Sequence, residues 1–281
     1  MREKNISPHA RPIQGWFHIS CTLGLGLRMG AGQDREPRDG CYGGDDLAIR
    51  IFRWFNSRYG DKLKINLGPG RVFILIRHDP WIISFPKVYG TAEFFISPSV
   101  PSSRPEVYLQ QRAIPRFNVL ESIQDLPKGL ADSLQQQELR EIFEYFTDGY
   151  RDMVALEAVG ALPMVNEGRS DIGASVHHAT SHPPHFGQSK WCSLQATEKL
   201  LKAYLASKGE SFPRVHKLDE LTRLAEAAGL SVLDKNWIDL IQCEPGIRYG
   251  EELMGLVQAW SAHWSAVRVC GCVARTIQRA A

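Results

Sequence analysis

The sequence predicts an α+β protein: a small N-terminal domain with an antiparallel β-meander and helices, followed by an antiparallel helical bundle. Three observations carry that expectation. Apolar residues recur with strand-like patterning between residues 62 and 88, and with helical spacing from Val119 onward. Clusters of Gly, Pro and Ser punctuate the chain between these stretches. A length of 281 residues accommodates two domains. The boundaries read as a poorly ordered leader over 1–44, an α/β domain over 45–165 and a helical bundle over 166–281.

The leader is rich in Gly, Arg and Pro, and its LGLGLRMGAG segment lacks the lysine and the strand-to-helix context of a phosphate loop. Order is expected from Asp45 and Asp46, acids suited to a helix N-terminus. Leu47, Ile51, Phe52 and Phe55 follow as an apolar stripe, with Arg50 and Arg53 turned away and Gly60 ending the helix. KLKINL, RVFILIR and WIISFPKVYG then read as three strands of a meander. Pro86 marks the last as an edge strand or ends it early. TAEFFISP is a further strand candidate, and SPSVPSSRPE a linker. Arg71 and His78 stand at an Arg-x6-His spacing, but along a strand and into a turn.

From Val119 the pattern is helical. Pro127 interrupts it, and Leu134, Leu139, Ile142, Phe143, Phe146 and Tyr150 then share a face. Gly149, about 1 kcal/mol worse than alanine in a helix, is expected to end or bend that segment. The domain junction falls between Gly160 and about Gly168, and SDIGASVHHATS reads as one short helix. Between Lys190 and Leu224 lie a strong amphipathic helix, a Gly/Pro loop and a second helix opened by His216. Leu194, Leu200, Leu201, Tyr204 and Leu205 occupy one arc of the first helix, with Trp191 at its edge. Glu198 lies inside that apolar arc, where an ionised carboxylate needs a partner. Arg248 is the expected partner, with Lys202 one turn away as the surface alternative. Leu253, Leu256, Val257, Trp260, Trp264 and Val267 make a narrow stripe along a final helix from Glu251 to Val269. Its tryptophans are read as core or dimer contacts, and His263 as a half-buried residue at the margin.

A net charge of +2, 43% hydrophobic and 23% charged residues describe an ordinary globular chain with no global drive toward nucleic acid. No apolar run reaches the roughly 18 residues of a bilayer-spanning helix. Six cysteines without a CxxC pair fit a reduced, cytoplasmic setting and not a zinc finger or ribbon. His177, His178, His182 and His185 are the metal candidates, although no recurring spacing supports a chelate and a polar loop is the default. No cofactor is expected.

Gln195, Ala196, Glu198, Lys199, Lys202 and Ala203, then His216-Lys217-Leu218, Leu221 and Leu224, and finally Ile247-Arg248-Tyr249 before a long helix, together resemble a HEPN domain over roughly 170–270. The resemblance implies a dimerising helical bundle and contact with nucleotide or RNA. Glu198, Lys199, Lys202, Arg248 and Tyr249 become the candidate ligand-binding residues. Catalytic HEPN proteins pair Arg-x4-6-His motifs from two protomers to cleave RNA without metal. Here Arg248 is followed by Leu253, Met254 and Gly255 at the positions a histidine would need.

The expected function is therefore a non-catalytic, dimerising HEPN module that binds RNA, nucleotide or a protein partner encoded nearby. A bacterial defence or toxin–antitoxin setting fits that expectation. The alternative is a metal-independent RNase with a rearranged site drawn from His216, Arg214, Arg248 or His263. A nucleotidyltransferase reading of residues 45–165 fails for want of a Gly-Ser followed by an Asp-x-Asp pair.

Overall fold

The computed structural model describes residues 6, 10–25, 36–60, 68–103, 114–213 and 216–280. The chain divides into two compact units, Met1–Asn66 and Leu67–Ala281. In the first, helix α1 (Arg11–Leu23) packs on α2 (Gly44–Tyr59). Ile51 and Phe55 are buried beneath Trp16, Ile19, Leu47 and Tyr59. The segment read as a leader thus contributes a helix, because Trp16 and Ile19 supply the apolar face that α2 lacks alone. At the start of α2, Asp46 accepts hydrogen bonds from the Arg38 backbone N–H at 2.9 Å and its guanidinium at 2.8 Å.

The second unit opens with a hairpin of β1 (Arg71–Ile76) and β2 (Asp79–Ser84), paired from Arg71–Ser84 to Ile76–Asp79. The near-continuous apolar run of β1 is explained by burial on both faces. Val72, Ile74 and Ile76 enter the main core, and Phe73 meets Val176 and Ala179 on the other side. The two-residue turn places Arg77 and His78 at φ of 50° and 71°, a conformation usually left to Gly or Asn. The Arg77 guanidinium holds it, donating to Glu138 at 2.8 Å and to the Ser133 carbonyl at 2.8 Å. KLKINL, the expected first strand, lies outside the described residues. The TAEFFISP strand forms as β3 (Glu93–Phe95), but it pairs in parallel with β4 (Arg116–Asn118), a strand the sequence did not announce.

Helices α3 (Lys128–Ser133) and α4 (Gln136–Ala158) follow. Then come α5 (Val165–Thr180), α6 (Phe186–Ser207), α7 (Leu218–Ala227) and α8 (Lys235–Ile241). A short 3-10 helix (Pro245–Tyr249) leads to α9 (Leu256–Ala280). Gly149 does not end α4, which continues to Ala158. A Cβ at Gly149 would lie 2.7 Å from Phe85 Cζ and 3.1 Å from Trp264 Cη2, so glycine is required for three elements to meet. The Gly160–Gly168 stretch, read as a domain junction, holds most of the short connection from α4 to α5 and the first turn of α5, all within one unit. The hairpin and bundle share a core there, and Trp264 Nε1–H donates to the Phe73 carbonyl at 2.9 Å.

The last helix begins five residues later than expected and runs further. Leu253 precedes it at 99% exposure, and Val257 is exposed on its first turn. Val267 of the expected stripe is buried, on a face it shares with Ala259, His263, Cys270, Ala274 and Ile277. Trp264 is core, as anticipated.

Candidate functional site

Helix α6 carries Trp191, Gln195, Glu198 and Lys202 at spacings of four, three and four, so all four share one side. Glu198 is 6% exposed and engaged at both oxygens. Lys202 Nζ donates to Oε1 at 2.5 Å, and His216 Nδ1 lies 2.7 Å from Oε2. The Gln195 amide reaches Oε2 at 3.4 Å. The expected pairing with Arg248 is therefore corrected: the surface alternative, Lys202, is a partner, and His216 is the other. Arg248 is held elsewhere because the 3-10 helix docks about two to three turns nearer the start of α6, at Gly187, Gln188 and Trp191.

Two features fix that docking. A Cβ at Gly187 would stand 2.4 Å from the Ile247 carbonyl oxygen, so only glycine lets the backbones approach this closely. Gln188 Nε2–H donates to the Arg248 carbonyl at 3.1 Å. The Arg248 guanidinium then lies 4.4 Å from the ring centre of Trp191 and 5.1 Å from that of Tyr249, while its Nε donates to the Pro245 carbonyl at 3.2 Å. The His216 ring approaches the same indole, centroid to centroid 5.7 Å. Trp191 is thus a plate with a cation on it and an imidazole beside it. Tyr249 is 74% exposed and the His216 side chain 55%, so these two and Arg248 form the open part of the seam.

A family model for the HEPN domain matches residues 192–251. The C-terminal part of this chain carries a HEPN domain. No curated protein and no solved structure matches the chain, and the N-terminal half has no family match. The HEPN match runs from α6 through the 3-10 helix and contains Glu198, Lys202, His216, Arg248 and Tyr249. All of α9 lies beyond it.

The candidate residues separate. Lys199 turns to α5, where its ammonium meets Asp171 at 2.5 Å, so it does not join Glu198 and Arg248. His263 is not half-buried at a margin: it is 1% exposed in the core, and burial pushes its basicity down to about 3. It cannot meet a ligand. Arg214 lies outside the described residues. His177, His178 and His185 cluster, with ring centroids 5.7 Å and 6.2 Å apart in sequence order. Burial first, and then His177 and His185, lower the basicity of His178. Among the described residues no three His, Cys, Asp or Glu side chains converge to hold a metal ion.

Sequence reasoning missed two features. It placed Trp191 at an apolar edge without seeing a platform for Arg248. It also overlooked Asp152, a fully buried carboxylate on α4 paired with Arg275 of α9 and flanked by Arg151 and Arg268. Gly271 makes room for it, since a Cβ there would meet Asp152 at 2.5 Å. The signal was present: Asp152 interrupts an apolar face of α4 much as Glu198 interrupts that of α6.

Proposed function

We propose that this HEPN domain is a non-catalytic, dimerising module that binds RNA or a nucleotide through Arg248, Tyr249 and His216. The observation that carries the reading is the Arg248 guanidinium stacked on Trp191 and beside Tyr249. Aromatic faces hold the flat of a guanidinium and leave its N–H edge for a phosphate oxygen. Exposed Tyr249 adds a face for a base, worth about 1–3 kcal/mol per stacked base. Glu198 and Lys202 neutralise each other and brace the seam. Self-association is supported by three exposed apolar side chains spaced four residues apart, Tyr249, Leu253 and Val257. Among the described residues no helix is long and apolar enough to cross a membrane, and all six cysteines are free thiols. The reading includes a cytoplasmic setting, to which free thiols are suited, and a protein partner encoded nearby in a defence or toxin–antitoxin role.

Fluorescence anisotropy with labelled single-stranded RNA and with nucleotides tests the reading. Arg248→Ala and Tyr249→Ala are each expected to weaken binding about tenfold, the equivalent of about 1.4 kcal/mol. Binding unchanged in both variants would overturn it.

One observation favours the RNase alternative. His216 is open to solvent and oriented by a buried carboxylate at 2.7 Å, an arrangement suited to a general base or acid. On that reading Arg248, across the Trp191 ring, steadies the phosphate. Cleavage of tRNA or mRNA on a gel, abolished by His216→Ala, would replace the binding-only function.

A further inference from the structure

His263 lies outside the seam, where the hairpin meets the bundle. Its ring packs on Phe73 of β1 with centroids 4.7 Å apart. Its Nδ1 lies 3.1 Å from the Ser175 hydroxyl of α5, which also lies 3.0 Å from the hydroxyls of Ser189 and Ser193 on α6. One proton assignment satisfies every contact. Ser193 donates to the Ser189 carbonyl at 3.1 Å, so its oxygen accepts from Ser175. Ser175 has one proton to give and therefore accepts from Ser189 and from His263. Nδ1 carries the ring proton. The lone pair is on Nε2, which is buried with no hydrogen-bond partner among the described residues.

A second proton would go to Nε2, creating a charge and an N–H donor with nothing to accept it. The groups facing the ring are Ser175 from α5, with Ser189 and Ser193 of α6 behind it, Phe73 from β1 and Trp264 on α9. None of them is charged or titrates near neutrality, and burial alone accounts for the depressed basicity of the ring. Trp264 Nε1–H bonds the Phe73 carbonyl beside it, so disturbing this ring disturbs the join between hairpin and helices.

We propose that His263 is an acid-sensitive lock: protonation of Nε2 releases the β1–β2 hairpin from α5 and α9 before the rest of the bundle unfolds. The sign follows from proton counting. The closed state keeps the ring neutral, whereas the open state titrates near the ordinary value of 6.5 and binds the extra proton. Closure is therefore fully favoured above about 6.5, and it weakens as the pH falls from there toward about 3, by up to about tenfold per pH unit.

The test uses the full chain. Nitrogen NMR of labelled histidine is expected to find His263 as the Nδ1–H tautomer at pH 7.5. Hydrogen exchange, corrected for intrinsic rates, is expected to show protection of Val72–Ile76 falling about tenfold per pH unit below about 6.5. Protection in the buried part of α6, Leu200–Leu205, should persist. His263→Asn keeps an N–H donor at the δ position for Ser175 and removes the titration, so its hairpin protection should be flat with pH. An Nε2–H tautomer, simultaneous loss in hairpin and α6, or an unchanged slope in His263→Asn would each overturn the lock. If that variant does not fold, the tautomer and the wild-type exchange profile decide the matter alone.

Discussion

At the scale of single residues, Glu198 shows how a buried charge is accommodated. Its carboxylate is almost wholly out of water, yet Lys202 and His216 occupy its two oxygens. Glu198→Ala leaves the Lys202 ammonium, itself mostly buried, without its partner. The expected cost is about 3 kcal/mol, which lowers the thermal midpoint by about 6–12 °C for a unit of this size. Glu198→Gln keeps the shape and an acceptor, and should lose less than half as much. A calorimetric shift under about 2 °C for the alanine variant would mean that Lys202 escapes to water and that the pair does not brace the seam. The misplaced glutamate was legible in the sequence, because periodicity alone puts it in the apolar arc. Its partners were not. Lys202 and Arg248 were both cations within plausible reach, and only the docking point of the 3-10 helix separates them.

At the scale of elements, the 3-10 helix is positioned by a glycine and an amide from α6. Gly187→Ala raises intrinsic helix propensity by about 1 kcal/mol, yet its Cβ would collide with the Ile247 carbonyl oxygen. The backbone carrying Arg248 must then shift. The expected result is a several-fold loss of RNA or nucleotide affinity in the anisotropy assay, with the α-helical circular dichroism unchanged. Retained affinity would show that Arg248 finds its place without this contact. The same reasoning explains two misread glycine positions. Gly149 and the Gly160–Gly168 stretch look like punctuation in one dimension. In three dimensions Gly149 receives Phe85 and Trp264, and the stretch after Gly160 turns α4 into α5 inside a single core. The β3–β4 pair was half legible for a related reason. TAEFFISP has strand composition, but a parallel partner more than twenty residues away leaves no local signature.

At the scale of the molecule, the two units have separate cores. The apolar cluster around Ile51 and Phe55 lies wholly within residues 16–59, and the main cluster begins at Val72. Residues 67–281 expressed alone are therefore expected to melt cooperatively, within about 5 °C of the corresponding transition in the full chain. A fragment that fails to fold would mean that residues 1–66 stabilise the bundle. Self-association is tested by Leu253→Asp. That side chain has nothing to lose in its own chain, so folding should be unaffected. Sedimentation velocity should show a dimer for the wild type and a monomer for the variant. A monomeric wild type removes the dimer from the proposed function.

The α+β class, the helical character of the C-terminal half, the HEPN domain and the anomaly at Glu198 were legible in the linear chain. Each depends on local composition or on spacing along one element, which the linear order of residues contains in full. The packing of elements settled that Lys202 and His216, not Arg248, meet Glu198, that Arg248 rests on Trp191 and Tyr249, and that Lys199 turns away to Asp171. It also decided that His263 is a core residue with a bare Nε2. These are contacts between elements. They depend on which glycine allows two backbones to approach and which turn aims a helix, and differences of a few ångströms there leave the periodicity of each segment unchanged.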